Sequence, residues 1–324
     1  MKYFLAGAIM AGLFGSPAFA ADQTLKMQTI APSLGQAITM ATFANVVTNN
    51  VDGISIEVAA GGAATLHMLE VARGNLDMSM VSPTIHILMT KGVAMYKKVP
   101  EAPELAPKIQ LLMWFPYGQY HFAVRGDSDI KTLDDIEGAK VFLGPQGGGA
   151  FNAAKGWVKA TTGLVAGEDF DVIKANWQTG YQAFLDGNID VYVNGCIDPC
   201  QQFIQFSETE SVRFIGPESA EGEAVDKFLG KFRKRAEIAT GLYKSQVNET
   251  PVMSNDTAVG IGVRAGLDED TVYKITKAFW DNLDNITTDA PWAKVLDPAY
   301  AAAQLGTMQL HPGAKRYYEE IGVK

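Results

Sequence analysis

The chain has 324 residues, of which 47% are hydrophobic and 19% are charged. This composition is that of a globular protein with a large core, and the length suggests about two domains. The formal net charge is −9, and no segment supplies the basic stripe that a nucleic-acid partner requires. Composition therefore argues against a nucleic-acid partner, whereas the charge of a small ligand is decided by local residues.

The N-terminal residues are typical of a secretory signal peptide. Lys2 precedes an apolar segment from Phe4 to Phe14, and Ala18 and Ala20 supply the small residues that signal peptidase requires. We expect residues 1–20 to be removed by cleavage after Ala20. No cysteine stands at a lipid-anchoring position, and no later segment approaches the ~20 apolar residues of a membrane span. These features predict an exported, periplasmic protein.

The first part of the chain repeats a pattern of strand, small-residue loop and helix three times. This pattern predicts an α/β unit with a largely parallel sheet, and ligands in such sheets bind beyond the carboxyl ends of the strands. The predicted strands are Thr24–Thr29, Ile54–Val58 and Leu76–Val81. Four candidate ligand-binding residues follow them, namely Ser33, Gly62, Ala63 and Ser82. For Ser33 the alternative is a helix N-cap with no ligand.

Two further strands are predicted at Ile109–Phe115 and Tyr120–Arg125, separated by Pro116, Tyr117 and Gly118. We expect the junction between two α/β units to lie next to this break, near Tyr120. Phe115 and Tyr117 are the candidate ligand contacts there, although an aromatic side chain can equally pack in a core. Arg125 could pair with a carboxylate, but its position before Gly126 and Asp127 favours a solvated side chain.

A glycine-rich loop stands between the predicted strand Lys140–Leu143 and the predicted helix Ala150–Ala160, which Gly163 ends. A ligand can approach bare backbone at glycine, and the first N–H groups of the helix suit an anion such as a carboxylate. The sequence matches neither a P-loop nor a dinucleotide fingerprint. The loop is therefore a candidate anion site or simply a tight turn. Its candidate contacts are Gln146, Gly147, Gly148, Gly149 and Phe151.

The second unit continues with a strand at Asp171–Lys174, a helix at Trp177–Leu185 and a strand at Ile189–Val193. Trp177, Asn194 and Cys196 stand at strand ends and complete the candidate site. Beyond this point the sequence predicts a charge-rich helix over 221–239, a strand over 257–264 and a long helix over 268–286. The helices at the chain end are expected to return to the first unit.

The two cysteines, Cys196 and Cys200, stand in the sequence C-I-D-P-C. A disulfide is plausible in an oxidising compartment, and Asp198 and Pro199 could provide the turn that it needs. Two free thiols are the alternative. A metal site is not expected, because two sulfurs without a nearby histidine make a poor metal site. No cofactor is expected either.

Five passages, in order, resemble the TAXI family of TRAP-transporter solute receptors, and together they cover nearly all of the chain after residue 20. They are Val71–Ser82, Asp129–Gly144, Phe184–Val193, Val272–Asn282 and Leu310–Gly322. The resemblance implies an α/β periplasmic-binding-protein fold of type II-like organisation, with two lobes, each a mainly parallel sheet flanked by helices, and a hinge between them. Lobe one would be 21–120 plus 262–324, and lobe two would be 121–261.

The same resemblance implies a monomeric, non-enzymatic receptor. It would bind a small organic acid between its lobes and deliver it to a TRAP membrane permease driven by an ion gradient. The chain departs from the family at two loops. Thr29–Gly35 stands where the family usually has a Gly/Thr-rich loop followed by Tyr residues, and Gly147–Ala150 lacks the Ser that usually stands between the glycines. The family's reported ligands therefore do not transfer to this chain, and the aromatic candidates indicate an acid with an apolar body.

Two other functions stay open from the sequence. A periplasmic binding protein can feed a sensor kinase, and the sequence does not separate that role from transport. An enzyme is the second alternative, but Ser128–Lys131 matches S-x-x-K without its partner motifs, and neither G-x-S-x-G nor H-E-x-x-H occurs. The four histidines are scattered along the chain.

Overall fold

The computed structural model describes residues 23–323. Segments rich in β-branched residues and methionine form the centre of its two β-sheets. The signal peptide predicted for residues 1–20 lies outside the described residues. The strands are β1 Gln23–Thr29, β2 Ile54–Ala60, β3 Met78–Val81, β4 Ile109–Pro116, β5 Gln119–Arg125, β6 Lys140–Phe142, β7 Asp171–Val172, β8 Val191–Cys196, β9 Val212–Ile215, β10 Arg233–Ile238 and β11 Val252–Arg264.

Helices cover the faces of both sheets. They are α1 Gly35–Asn50, α2 Ala64–Arg73, α3 Pro83–Lys91, α4 Ala102–Leu105, α5 Gly149–Thr162, α6 Trp177–Leu185, α7 Gln201–Ser207, α8 Glu223–Leu229, α9 Glu269–Asp281, α10 Leu283–Asp289, α11 Pro298–Ala301 and α12 Pro312–Glu320. None of the helices within the described part of the chain is long and apolar enough to cross a membrane.

The first sheet has the strand order β10-β11-β3-β1-β2, and β4 also pairs with β11. The β1–β2 and β1–β3 pairs are parallel, whereas β11 is antiparallel to β3, β4 and β10. All four residues of β3 are buried, as expected for a strand that is covered on both faces. We call this sheet and the helices packed on it the first lobe.

The second sheet has the strand order β7-β6-β8-β5-β9 and forms the second lobe with α5 to α8. Its β6–β7 and β6–β8 pairs are parallel, and β5 is antiparallel to β8 and β9. The two-lobed α/β fold class is confirmed. The strands joined by helices run parallel as predicted, and the strands next to the junction of the lobes make each sheet mixed.

The chain passes between the lobes at two places that lie side by side. The first is the turn of Tyr117 and Gly118 between β4 and β5. The second is β11, whose last seven residues pair with β4. Near its start, the Ser254 hydroxyl donates to the backbone oxygen of Tyr120 in β5 at 2.7 Å. Because β11 is a single strand of 13 residues, it ties the two lobes together along its length.

Buried polar bonds hold the junction. The amide of Gly118 donates to Asp256 Oδ1 at 3.0 Å, and the amide of Tyr117 donates to the Thr257 carbonyl at 2.8 Å. Gln36 of α1 donates from Nε2 to the carbonyls of Tyr117 at 2.6 Å and Gly195 at 2.9 Å. Gln36 is 2% exposed, so these bonds connect the first lobe, the turn and the second lobe out of contact with water.

The helix over 221–239 is the clearest error of the sequence prediction. Helix α8 ends at Leu229, and residues 233–238 form β10, which pairs with β11. Gly230, at φ 57°, allows the chain to turn between them. The sequence prediction also missed α7 and β9, and the long helix predicted over 268–286 is divided at Asn282 into α9 and α10.

The backbone at Gly118 is in close contact with the second lobe. Its φ is +95°, and a Cβ built there would lie 2.0 Å from the carbonyl carbon of Cys196 and 2.2 Å from its oxygen. Gly163 has a similar φ of +81°, but a Cβ there would meet nothing within 4 Å. Alanine at Gly163 would therefore cost only the free energy of a left-handed backbone. Alanine at Gly118 would cost this and, in addition, the free energy of a steric overlap.

We expect Gly163→Ala to lower the free energy of unfolding by about 1–2 kcal/mol, the cost of the left-handed conformation alone. Gly118→Ala should cost about 1–3 kcal/mol more, because the new methyl group overlaps backbone that cannot rotate away. Urea unfolding of both variants and the parent measures the difference. Equal losses in the two variants would contradict the close packing at the junction.

Candidate ligand-binding cleft

A cavity of about 400 Å³ lies between the two lobes. This volume is near the lower end of the range of about 300–1,000 Å³ that is usual for small-molecule sites. Its wall in the first lobe follows the carboxyl ends of β1, β2 and β3, and its wall in the second lobe includes the loop after β6. The cavity is therefore at the position where α/β sheets bind ligands.

Four helices begin at the cavity. Lining residues include Ala63 at the start of α2, Ser82 at the start of α3, Gly148 at the start of α5 and Asn176 at the start of α6. Neither Ala63 nor Gly148 makes a side-chain cap. Their helices therefore present backbone N–H groups and the positive end of the helix dipole toward the cavity, which favours a negatively charged ligand.

Arg233 of β10 also lines the cavity. Its Nη1 donates to the Phe228 carbonyl at 3.0 Å and its Nη2 donates to Thr84 Oγ1 at 3.1 Å, while Nε, shielded from solvent, has no partner in the described structure. The guanidinium lies 4.6 Å from the centre of the Phe228 ring. No carboxylate lies within 4.0 Å of it among the described residues. Arg233 thus brings a positive charge without a counter-ion into the cleft.

Two tyrosines lie beside this charge. Tyr117 and Tyr120 line the cavity, and their rings stack with centroids 5.1 Å apart. Burial raises the pKa of both hydroxyls, so each keeps its proton at neutral pH and can act as a hydrogen-bond donor. Burial also lowers the pKa of Arg233, but a guanidinium stays protonated in proteins.

Apolar side chains form most of the remaining wall. Met80, Ile85, Leu88 and Val259 contribute from the first lobe, and Trp177 contributes from the second. The orientation of Trp177 is set from behind, because its ring meets Phe142 edge to face at 5.6 Å and packs closely on Gly144. The indole is therefore a preformed apolar surface for a ligand.

Seven of the fourteen residues that the sequence proposes for the site line the cavity. They come from both lobes and from the turn between them, so the structure brings together parts of the chain that are far apart in sequence. These residues are Gly62, Ala63, Ser82, Tyr117, Gly148, Gly149 and Trp177. Ser82 has a second role, since its hydroxyl accepts from the Ile85 amide as the N-cap of α3.

The other seven candidates are not part of the lining. Ser33, Gln146 and Gly147 are exposed on loops, and the N-cap of α1 is Leu34, so Ser33 does not cap that helix. Phe115 and Asn194 are buried, with Asn194 donating to Gln202 Oε1 at 2.6 Å. The remaining two are Phe151, which lies under the Lys155 ammonium at 5.5 Å, and Cys196.

Sequence reasoning missed Arg233, Tyr120, Thr84 and Thr257. Arg233 stands in the charged run F-R-K-R-A-E, which resembles a solvated helix face. Residues 232–237 carry no apolar–polar alternation that would mark a strand, and in the structure Arg233 lines the cavity whereas Lys234 and Arg235 are exposed. Arg125, the arginine that the sequence did suggest, pairs with Glu210 and the Leu185 carbonyl away from the cavity.

Cys196 and Cys200 form a disulfide with their Cα atoms 5.6 Å apart. Both cysteines are buried beside His121, whose Nε2 lies 2.7 Å from Asp198 Oδ1, and the Tyr243 hydroxyl donates to the same carboxylate at 3.2 Å. The disulfide therefore closes a loop that packs on the turn at Gly118. Cys196 is placed as a structural residue next to the junction.

Two further histidines, His86 and His311, are also held by internal bonds. His86 contacts Thr307 Oγ1 at 2.8 Å and the Ala106 carbonyl at 3.0 Å, and His311 caps α12. Among residues 23–323 no group of three or more His, Cys, Asp or Glu side chains could hold a metal ion.

The fold and its cleft define a two-lobed α/β protein with a ligand-sized cavity between the lobes. A family model described as NMT1-like matches residues 33–322, and the chain belongs to this NMT1-like family.

Similar solved structures include periplasmic binding proteins. The aliphatic sulphonate-binding protein SsuA of Escherichia coli is 13% identical over 91% of this chain and 78% of its own, with a TM-score of 0.46. A TRAP periplasmic solute-binding protein of Desulfovibrio salexigens with bound orotic acid is 11% identical over 93% and 84%, with a TM-score of 0.47. One from Desulfovibrio desulfuricans with bound sn-glycerol-3-phosphate is 13% identical over 93% and 89%, with a TM-score of 0.48.

The sample is protein purified from an oxidising compartment and unfolded in denaturant without reductant. We expect it to show no reactive thiol, because Cys196 and Cys200 are bonded to each other. After reduction the same unfolded sample should show two thiols per chain. A colorimetric thiol count measures both states. Two thiols in the unfolded, unreduced sample would contradict the disulfide.

Proposed function

We propose that this protein is a TAXI-type solute receptor of a TRAP transporter. It acts in the periplasm, binds a small organic acid between its lobes and presents it to a membrane permease driven by an ion gradient. Lobe one is proposed to comprise 21–120 plus 262–324, and lobe two 121–261, which counts β10 and residues 252–261 of β11 with lobe two although these strands pair in the first sheet. Family membership, the resemblance of the sequence and the cavity between two lobes support this proposal.

Arg233 is the observation that carries the proposal. A positive charge in a mostly apolar cavity is costly unless an anion compensates it, and no carboxylate of the described chain does so. Two of the five guanidinium N–H groups bond to protein oxygens, which leaves other donors for a ligand. A carboxylate matches these donors in geometry and in charge.

The position of Arg233 also suggests how binding of an anion would favour closure of the two lobes. Its two hydrogen bonds reach Phe228, in helix α8 of the second lobe, and Thr84, in helix α3 of the first. An anion on Arg233 would therefore contact both lobes when they are close and fewer groups when they are apart. A ligand with more contacts in the closed form shifts the population toward that form.

Replacing Arg233 by glutamine should weaken binding of the acid by about 2–5 kcal/mol, or about 30-fold or more in Kd, because the buried anion loses its counter-charge. The ligand is first found by thermal unfolding against a panel of carboxylates, where a ligand at ~100 times its Kd adds about 2.7 kcal/mol. Calorimetric titration then compares the parent and the variant.

Arg125→Gln is the matched control, since it removes an arginine that bonds to Glu210 and Leu185 outside the cavity. Its affinity should equal that of the parent. Equal affinity of the parent and the Arg233→Gln variant for the acid would overturn the anion site, and a parent that binds no organic acid would overturn the proposed function.

The permease is tested separately. Where TRAP permease subunits are encoded beside this gene, proteoliposomes that contain them should accumulate the bound acid under an ion gradient only when this protein is added. Uptake at the same rate without the protein would contradict the transport role.

A further inference from the structure

The charges around the cavity have one sign. Among the lining residues that the structure describes, Arg233 is the single side chain with a full charge at neutral pH, and none is an aspartate or a glutamate. The helix starts at Ala63, Ser82, Gly148 and Asn176 add partial positive charge. The full charge and the helix-end charges that a ligand meets in the cavity are therefore positive.

Asp256, a buried carboxylate next in sequence to a lining residue, is already engaged by other groups of the protein. Asp256 precedes the lining residue Thr257, and its Oδ1 accepts from the amides of Gly118 and Thr257. Its Oδ2 lies 3.5 Å from the ammonium of Lys234. These partners hold the carboxylate in the junction, so it does not serve as a counter-ion for a group in the cavity.

From this we infer, resting on the proposed function, that the ligand is an acid without an ammonium group, so that α-amino acids are selected against. An ammonium group in the cavity would lose its water and find no carboxylate, and it would also face Arg233 and the helix starts. The apolar wall of Met80, Ile85 and Trp177 suits the hydrocarbon part of such an acid.

Matched pairs of acids that differ only in the ammonium group test this inference independently of ligand size. The pairs are glutarate and glutamate, 4-methylpentanoate and leucine, and 3-phenylpropanoate and phenylalanine. Calorimetric titration of the full mature protein should give a Kd at least about tenfold lower for the acid without nitrogen in every pair that binds.

A variant tests the cause of the discrimination. Gln178 lines the cavity in the first turn of α6, and Gln178→Glu would add a carboxylate of the same shape at a position where acidic residues favour a helix. The ratio of the two Kd values should fall by about threefold or more. Gln201→Glu, an exposed change in the first turn of α7 outside the lining, is the control and should keep the parent ratio.

An amino acid that binds as tightly as its partner without nitrogen would overturn this inference and leave the proposed receptor function intact. An unchanged ratio in the Gln178→Glu variant would also contradict it, because the missing carboxylate would then not be the cause. If neither these pairs nor the full carboxylate panel contains an acid that binds the parent, both this inference and the proposed function fail.

Discussion

The junction between the lobes depends on one buried carboxylate. Asp256 accepts hydrogen bonds from the amides of Gly118 and Thr257, and these two residues belong to the two places where the chain crosses between the lobes. Burial raises the pKa of Asp256, whereas the Lys234 ammonium and the two amides lower it. Loss of that carboxylate would leave buried N–H groups without partners at both crossings. The relative placement of the lobes therefore follows from a small set of polar bonds.

The same crossing strand supplies the chemistry of the cleft. Strand β11 pairs Thr257 with Arg233 and Asp256 with Lys234, so adjacent positions on β10 send their side chains to different surroundings. The Arg233 guanidinium lies in the cavity, and the Lys234 ammonium lies beside Asp256. Because the two side chains point to opposite sides of β10, Arg233 is available to a ligand, whereas Lys234 contacts the junction carboxylate Asp256. One residue of register shift would exchange the two roles.

The sequence predicted well those elements whose signals are local. Helix α6 begins and ends as predicted, and Gly74 and Gly163 take the left-handed conformation that ends α2 and α5. Gly148 and Gly149 of the glycine loop, Ser82 at the start of α3, and Trp177 also line the cavity, as their predicted positions at strand ends indicate. Such positions follow from topology alone, because loops after parallel strands gather at one edge of a sheet.

The residues that could not be predicted depend on long-range pairing. Arg233 comes to the cavity only because β10 pairs with β11, and a charged run of that length carries a stronger local signal for a helix than for a strand. Phe115 shows the reverse case. It stands next to the junction as expected, but its side chain is 1% exposed, because β4 is covered on both faces and all of its residues from Leu111 to Phe115 are buried.

Tyr117 joins the junction to the cleft. Its amide donates to the Thr257 carbonyl, its carbonyl accepts from Gln36, and its ring lines the cavity against Tyr120. The ring also packs on Gly195 so closely that a Cβ there would lie 1.9 Å from Cε1. Because its backbone and its ring are held by both lobes, the ring cannot keep its place if the lobes rotate. A ligand that contacted Tyr117 in only one arrangement of the lobes would therefore favour that arrangement.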